Sequence, residues 1–188
     1  MERLGIMGGT FDPVHVAHLV AAAEARYQLR LDRVLFVVAG DPWQKHESVS
    51  APAEARYEMV AAALAGVEGF EPSRIEIDRA GPTYTIDTVN ELRASDRELF
   101  LIVGRDVAQA LDSWKAVDEL RSAVTLAIVD REGIHTDPPA GWNAASLTMP
   151  RLDVSSTDLR RRVAAGEPVD FLMPAGAVRV MRARALYT

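Results

Sequence analysis

Short β-rich runs alternate with helical stretches along nearly the whole chain, and this alternation constrains the fold more than any other feature. The runs Leu4–Met7, Val34–Ala39, Arg74–Ile77, Leu99–Val103 and Val124–Val129 are four to six residues long and rich in Val, Ile or Leu. Several are apolar almost throughout, as expected of strands covered on both faces. Between them, helical patterns occupy Ala17–Leu29, Ala53–Leu64, Thr85–Arg93 and Asp106–Leu120, the last broken. Strand, helix and strand in succession predict an α/β fold on a mostly parallel sheet with helices on both faces.

The tail departs from this rhythm. A strand is expected at Ser146–Val154, after a Gly/Pro-rich loop from Gly133 to Trp142. The hydroxyls of Ser155-Ser156-Thr157 then suit the N-cap of a helix, and Pro174 opens a last helix over Ala175–Ala183. This is the small C-terminal helical part. With 188 residues and no repeat or linker, residues 1–188 read as a single domain.

In such sheets ligands bind beyond the carboxyl ends of the strands. The first such position carries Gly8-Gly9-Thr10-Phe11-Asp12-Pro13-Val14-His15-Val16-Ala17-His18. Two glycines permit a sharp turn and close approach of a phosphate. His15 and His18, three apart at a helix start, share one face, and with free N–H groups there they predict a cationic phosphate pocket. Neither cysteine nor His-Glu-x-x-His accompanies them, which argues against zinc. No P-loop and no Gly-x-Gly-x-x-Gly follows the strand.

The balance of charge excludes other classes. A net charge of −6 disfavours a nucleic-acid binder, and no apolar run is long enough to span a membrane. The absence of cysteine fits a cytoplasmic enzyme. Of the 21 cationic residues only Lys45 and Lys115 are lysine. The one dense basic run, Arg160-Arg161-Arg162, suits either an anionic substrate or a solvated helix face.

The segment from Gly8 to Leu19 resembles the signature of the bacterial nicotinate-nucleotide adenylyltransferases, a branch of the nucleotidyltransferase superfamily. One position departs: Ala17 stands where that family has glycine. Near the other end, Ser155-Ser156-Thr157-Asp158-Leu159-Arg160 is similar to the superfamily's second motif, Ser-Ser-Thr-x-x-Arg. Three further segments follow the family's order. They are Pro42-Trp43-Gln44-Lys45, with Gln44 in place of histidine, Gly81-Pro82-Thr83-Tyr84-Thr85-Ile86-Asp87-Thr88, and Gly104-Arg105-Asp106 followed by Trp114. Asp130-Arg131-Glu132-Gly133 departs from the family's Arg-Pro-Gly.

The resemblance implies a Rossmann-like fold and transfer of AMP from ATP to nicotinate mononucleotide, with pyrophosphate released. It assigns catalysis to His15, His18 and Arg160. ATP would be held by Gly8, Gly9, Thr10, Phe11, Ala17, Gly104, Asp106, Ser155, Ser156 and Thr157. The mononucleotide would be held by Lys45, Thr83, Tyr84, Thr85 and Trp114, with the indole stacked on the nicotinate ring. Magnesium is expected to arrive on the ATP phosphates rather than in a carboxylate cage. The implied partners are these two substrates, with neither nucleic acid nor membrane, and a homo-oligomer is compatible with the sequence. A sibling transferase acting on phosphopantetheine would usually carry threonine at the position of His15, and a non-catalytic nucleotide sensor would not be expected to retain both histidines and Arg160.

Overall fold

The protein is described here as a computed structural model, in which residues 1–40, 50–79, 81–131 and 137–188 are described, except for the side chain of residue 131. Six strands, β1 (Glu2–Gly9), β2 (Arg33–Val38), β3 (Phe70–Ser73), β4 (Arg97–Gly104), β5 (Thr125–Arg131) and β6 (Ala144–Met149), form one sheet in the order β3-β2-β1-β4-β5-β6. The pairs β1–β4, β4–β5 and β5–β6 are parallel. The helices are α1 (Val16–Gln28), α2 (Ala53–Leu64), α3 (Ile75–Asp78), α4 (Thr85–Leu92), α5 (Arg105–Ala108), α6 (Val117–Ala123), α7 (Ser156–Ala164) and α8 (Ala175–Ala183), with a 3-10 turn at Leu111–Ser113. Between β1 and β4 the strand order reverses, which is where a doubly wound sheet opens a ligand crevice.

Successive residues are buried along each central strand, Val34 to Val38 in β2 and Leu99 to Val103 in β4. Because side chains alternate between faces, an unbroken buried run requires cover on both sides, so the α/β expectation holds. Helix α2 has the predicted bounds. The broken helix expected after Gly104 resolves into α5, the 3-10 turn and α6.

Two strand expectations need correction. Arg74–Ile77 is not a strand. The edge strand is Phe70–Ser73, and residues 75–78 form a helical turn. Phe70 packs its ring 5.6 Å from Phe36, and Pro72 lacks a donor but is tolerated at a sheet edge. Arg74 donates to both oxygens of Glu54 at 2.7 Å and reaches Asp78, four residues on, at 3.1 Å; an extended chain would carry those two residues apart. At the other edge β6 stops at Met149, because Pro150 cannot donate to the ladder, so the strand expected up to Val154 is shorter.

The described residues group into two compact units. One comprises Met1–Gly8, Val20–Leu35 and Tyr84–Arg151. Its strands β1 and β4 are clipped at their amino ends by Glu2, whose carboxylate accepts from Arg33 and Arg97, each at 2.6 Å. The other comprises Gly9–Leu19, Phe36–Thr83 and Leu152–Thr188. Here α8 lies so close to α2 that a Cβ on Gly176 would fall 2.0 Å from the Ala62 carbonyl oxygen. Gly40 is also tight, with Glu76 O 2.4 Å from where its Cβ would stand. No helix among the described residues is long and apolar enough to cross a membrane.

Candidate active site

Gly8 and Gly9 end β1 rather than make a turn, and neither has a positive φ. The left-handed residue is Phe11, at φ 47°, and the following Asp12-Pro13 peptide is cis. Gly8 faces open space, so its backbone is accessible to a ligand. Gly9 serves differently: a Cβ there would stand 3.1 Å from the Phe11 ring. That ring is buried, edge-on to His18 at 5.1 Å and tilted on Phe36 at 5.8 Å. Phe11 therefore enters the site as the floor beneath His18.

The two imidazoles are stacked, with centroids 3.7 Å apart. The His15 backbone N–H donates to His18 Nδ1 at 3.2 Å, and the His18 N–H donates to His15 O at 3.0 Å. A ring nitrogen that accepts carries no proton, so the neutral His18 ring holds its N–H on Nε2. His15 is 7% exposed, and burial pushes its pKa down from 6.5 to about 4. The expected cationic pocket is thus corrected, because at neutral pH His15 is uncharged. Its Nδ1 is buried without a hydrogen-bond partner among the described residues. The helix end is also less open than expected: besides the two amides above, the Val16 N–H donates to Leu172 O at 3.0 Å.

Helix α7 supplies the second half. Ser155 caps it by accepting from the Asp158 N–H at 3.2 Å, as its sequence predicts. Ser156 Oγ donates to Pro13 O at 2.9 Å, and Arg160 Nη1 donates to Asp12 O at 2.8 Å, tying α7 to the loop after β1. Thr157 is exposed beside Arg160, 3.5 Å from its Nη2. The basic run divides. Arg161 and Arg162 bind Asp158 and Glu167 at distances from 2.7 to 3.5 Å and form a solvated face, while Arg160 turns to the loop.

Beneath this lies a polar network that sequence reasoning missed. Asp12 is 1% exposed, and its carboxylate accepts from Ser50 N at 2.7 Å, Ala51 N at 3.1 Å and Tyr187 OH at 2.6 Å. Arg160 Nη1 lies 3.7 Å from the same carboxylate. Arg56, also buried, donates to the carbonyls of Ala51, Thr10 and Gly40 at 3.0, 2.7 and 3.3 Å. Burial lowers its pKa, and the Asp12 charge opposes that shift. A charge this deep is costly unless hydrogen-bonded, and three backbone carbonyls accept from Arg56 while the Asp12 charge favours its cationic form. For Arg56 a signal existed: it shares the helical spacing of buried Met59, Val60 and Ala63.

In the unit containing β4, Gly104 precedes α5, and Asp106 is exposed in the first turn beyond the strand. Tyr84 flanks the start of α4, with Lys115 Nζ 4.1 Å from its ring centroid and 3.8 Å from the Asp87 carboxylate. Trp114 follows the 3-10 turn and is half-buried, as is Thr85, while Thr83 is buried. Lys45 and its neighbours Pro42 to Gln44 lie outside the described residues. Among the described residues no three His, Asp or Glu side chains gather as a metal site.

The chain is similar to known proteins. Residues 6–162 match the cytidylyltransferase-like family model. A relative from Acidothermus cellulolyticus, named "Probable nicotinate-nucleotide adenylyltransferase", is 44% identical over 98% of this chain and 94% of its own length. One of the same name from Streptomyces coelicolor is 48% identical over 96% of this chain and 98% of its own. Among solved structures, Plasmodium falciparum nicotinic acid mononucleotide adenylyltransferase complexed with NaAD superposes with a TM-score of 0.77 over 100% of this chain and 98% of that one. At 15% identity, that likeness speaks for the fold alone. With near-full-length identities of this size, the chain belongs to the nicotinate-nucleotide adenylyltransferases, within the cytidylyltransferase-like family.

Proposed function

We propose that the protein transfers the adenylyl group of ATP to nicotinate mononucleotide, giving nicotinate adenine dinucleotide and pyrophosphate in NAD biosynthesis. The observation that carries this reading is the locked histidine pair on a loop to which Arg160 is also anchored, in a chain whose relatives carry that activity in their name.

An oxygen of the mononucleotide's 5′-phosphate attacks the α-phosphorus in line. The new P–O bond forms as the bond to the α–β bridging oxygen breaks, and pyrophosphate leaves with that electron pair. The attacking group is already an anion, so no covalent intermediate on the protein is required. Catalysis consists of positioning and charge stabilisation. His18, its N–H directed to Nε2, donates to an α-phosphate oxygen. His15, neutral and stacked against it, donates through Nε2, since its Nδ1 is buried. Arg160 draws charge onto the departing pyrophosphate, helped by Ser155, Ser156 and Thr157 at the start of α7. Gly8, Gly9, Thr10 and Ala17 approach ATP through backbone, and Gly104 and Asp106 serve its ribose.

Nicotinate is bound by Thr83, Tyr84 and Thr85, with Trp114 stacked on the ring and Lys45 on phosphate. Magnesium would be carried by the ATP phosphates and would neutralise their charge. The Asp12 carboxylate, filled by two amides, a phenol and a guanidinium, is not free to ligate it, and the phosphate oxygens supply the ligands that magnesium prefers. The test is to incubate the protein with Mg-ATP and nicotinate mononucleotide and identify products. Nicotinate adenine dinucleotide and pyrophosphate in equal amounts support the reading; pyrophosphate without dinucleotide contradicts it.

A further inference from the structure

Tyr187 reaches back across 175 residues of sequence to place its hydroxyl 2.6 Å from Asp12 Oδ1. We propose that Tyr187 is a positioning residue for the adenylyl transfer: through Asp12 it sets the loop that carries His15 and His18 and fixes where Arg160 stands. This rests on the function proposed above.

The geometry closes a circuit. Asp12 offers its carboxylate to Tyr187 and to the Ser50 and Ala51 amides, and its backbone carbonyl to Arg160. Pro13, the next residue, offers its carbonyl to Ser156 of α7. Displacing the Asp12 carboxylate therefore moves the two successive peptides that the α7 contacts grip, just before His15. Tyr187 supplies the carboxylate's one side-chain hydroxyl donor among the described residues, at a short distance suited to a charge-assisted bond. Burial and the facing carboxylate raise its pKa, so it stays protonated and able to donate. Tyr187 does not touch the reacting atoms in this scheme; it acts only through Asp12.

The experiment compares the full-length protein with Tyr187→Phe, Asp12→Asn and the double variant, using Mg-ATP and nicotinate mononucleotide. Tyr187→Phe keeps the ring and removes one hydrogen bond to a charged group. It is expected to lower kcat/KM for ATP about tenfold, as one such bond controls, while leaving KM for the mononucleotide unchanged. The double variant should be no slower than Asp12→Asn alone, because the hydroxyl has no other route to the site. Wild-type kinetics in Tyr187→Phe with only a lower Tm would overturn the inference, since that is what a purely structural tyrosine gives. Multiplicative losses in the double variant, or a Tyr187→Phe protein that does not fold, would overturn it as well. Wild-type protein inert with both substrates would instead bring down the proposed function, before any variant is compared.

Discussion

The backbone N–H of His15 donates to Nδ1 of His18 at 3.2 Å, and the two rings stack with centroids 3.7 Å apart. One peptide thereby sets the tautomer of a side chain three residues on, with Phe11 edge-on beneath it. An N–H fixed in direction before substrate arrives costs no reorganisation when charge develops. His18→Ala should lower kcat by about 10² to 10⁴, the range for losing one positioned polar catalytic group. Steady-state turnover at saturating substrates measures it, and near-normal kcat would remove His18 from the chemistry.

Burial of His15 makes the fold sensitive to acid. Its pKa is depressed in the folded state, from 6.5 to about 4, so the unfolded chain binds the proton more readily between those values. The associated stability is fully present above pH 6.5 and is lost as pH falls from there towards 4. The depression corresponds to about 3 kcal/mol. Urea midpoints at pH 7, 5.5 and 4 should show the decline, and His15→Gln, which has no proton to take up, should show a correspondingly shallower one. Equal slopes in the two proteins would mean His15 is not held neutral by the fold.

At Gly176 the structure leaves no room for a methyl group, because the Ala62 carbonyl oxygen occupies its place at 2.0 Å. Gly176→Ala must push α8 off α2 and should cost about 1–3 kcal/mol of unfolding free energy. Thermal denaturation reads this directly. An unchanged Tm would show that the two helices have slack between them.

Trp114 is half-buried and follows a 3-10 turn, its backbone N–H donating to Leu111 O at 2.9 Å. If stacking on the nicotinate ring is uniform binding, Trp114→Ala raises KM for the mononucleotide and spares kcat. A lower Tm with unchanged KM would return the indole to the core.

Local pattern carried most of the fold. Helix α2 occupies Ala53–Leu64 as its helical pattern implied, and Ser155 caps α7 as a serine before a helix should. The misread strand at Arg74–Ile77 shows the limit. Ile75 and Ile77 alternate as in a strand, but the ion pairs of Arg74 with Glu54 and Asp78 hold a helical turn there, and Glu54 is 20 residues away in sequence. The motifs named residues that the structure brings together, with His15 stacked on His18 and Arg160 tied to the same loop. The polar network was not legible at Asp12, which read only as a loop residue beside proline, nor at Tyr187, whose partner lies at the opposite end of the chain. Charge was misjudged for the same reason. A histidine's protonation depends on burial, and burial depends on neighbours that no local pattern names.

Joining AMP to nicotinate mononucleotide is the activity proposed for this chain. Its most direct test is kcat/KM for pyrophosphate release from Mg-ATP with nicotinate mononucleotide, nicotinamide mononucleotide and phosphopantetheine offered separately. Release should be fastest with nicotinate mononucleotide. Release only with phosphopantetheine would contradict the substrate assignment, and none with any acceptor, from folded protein that binds ATP, would contradict the activity itself.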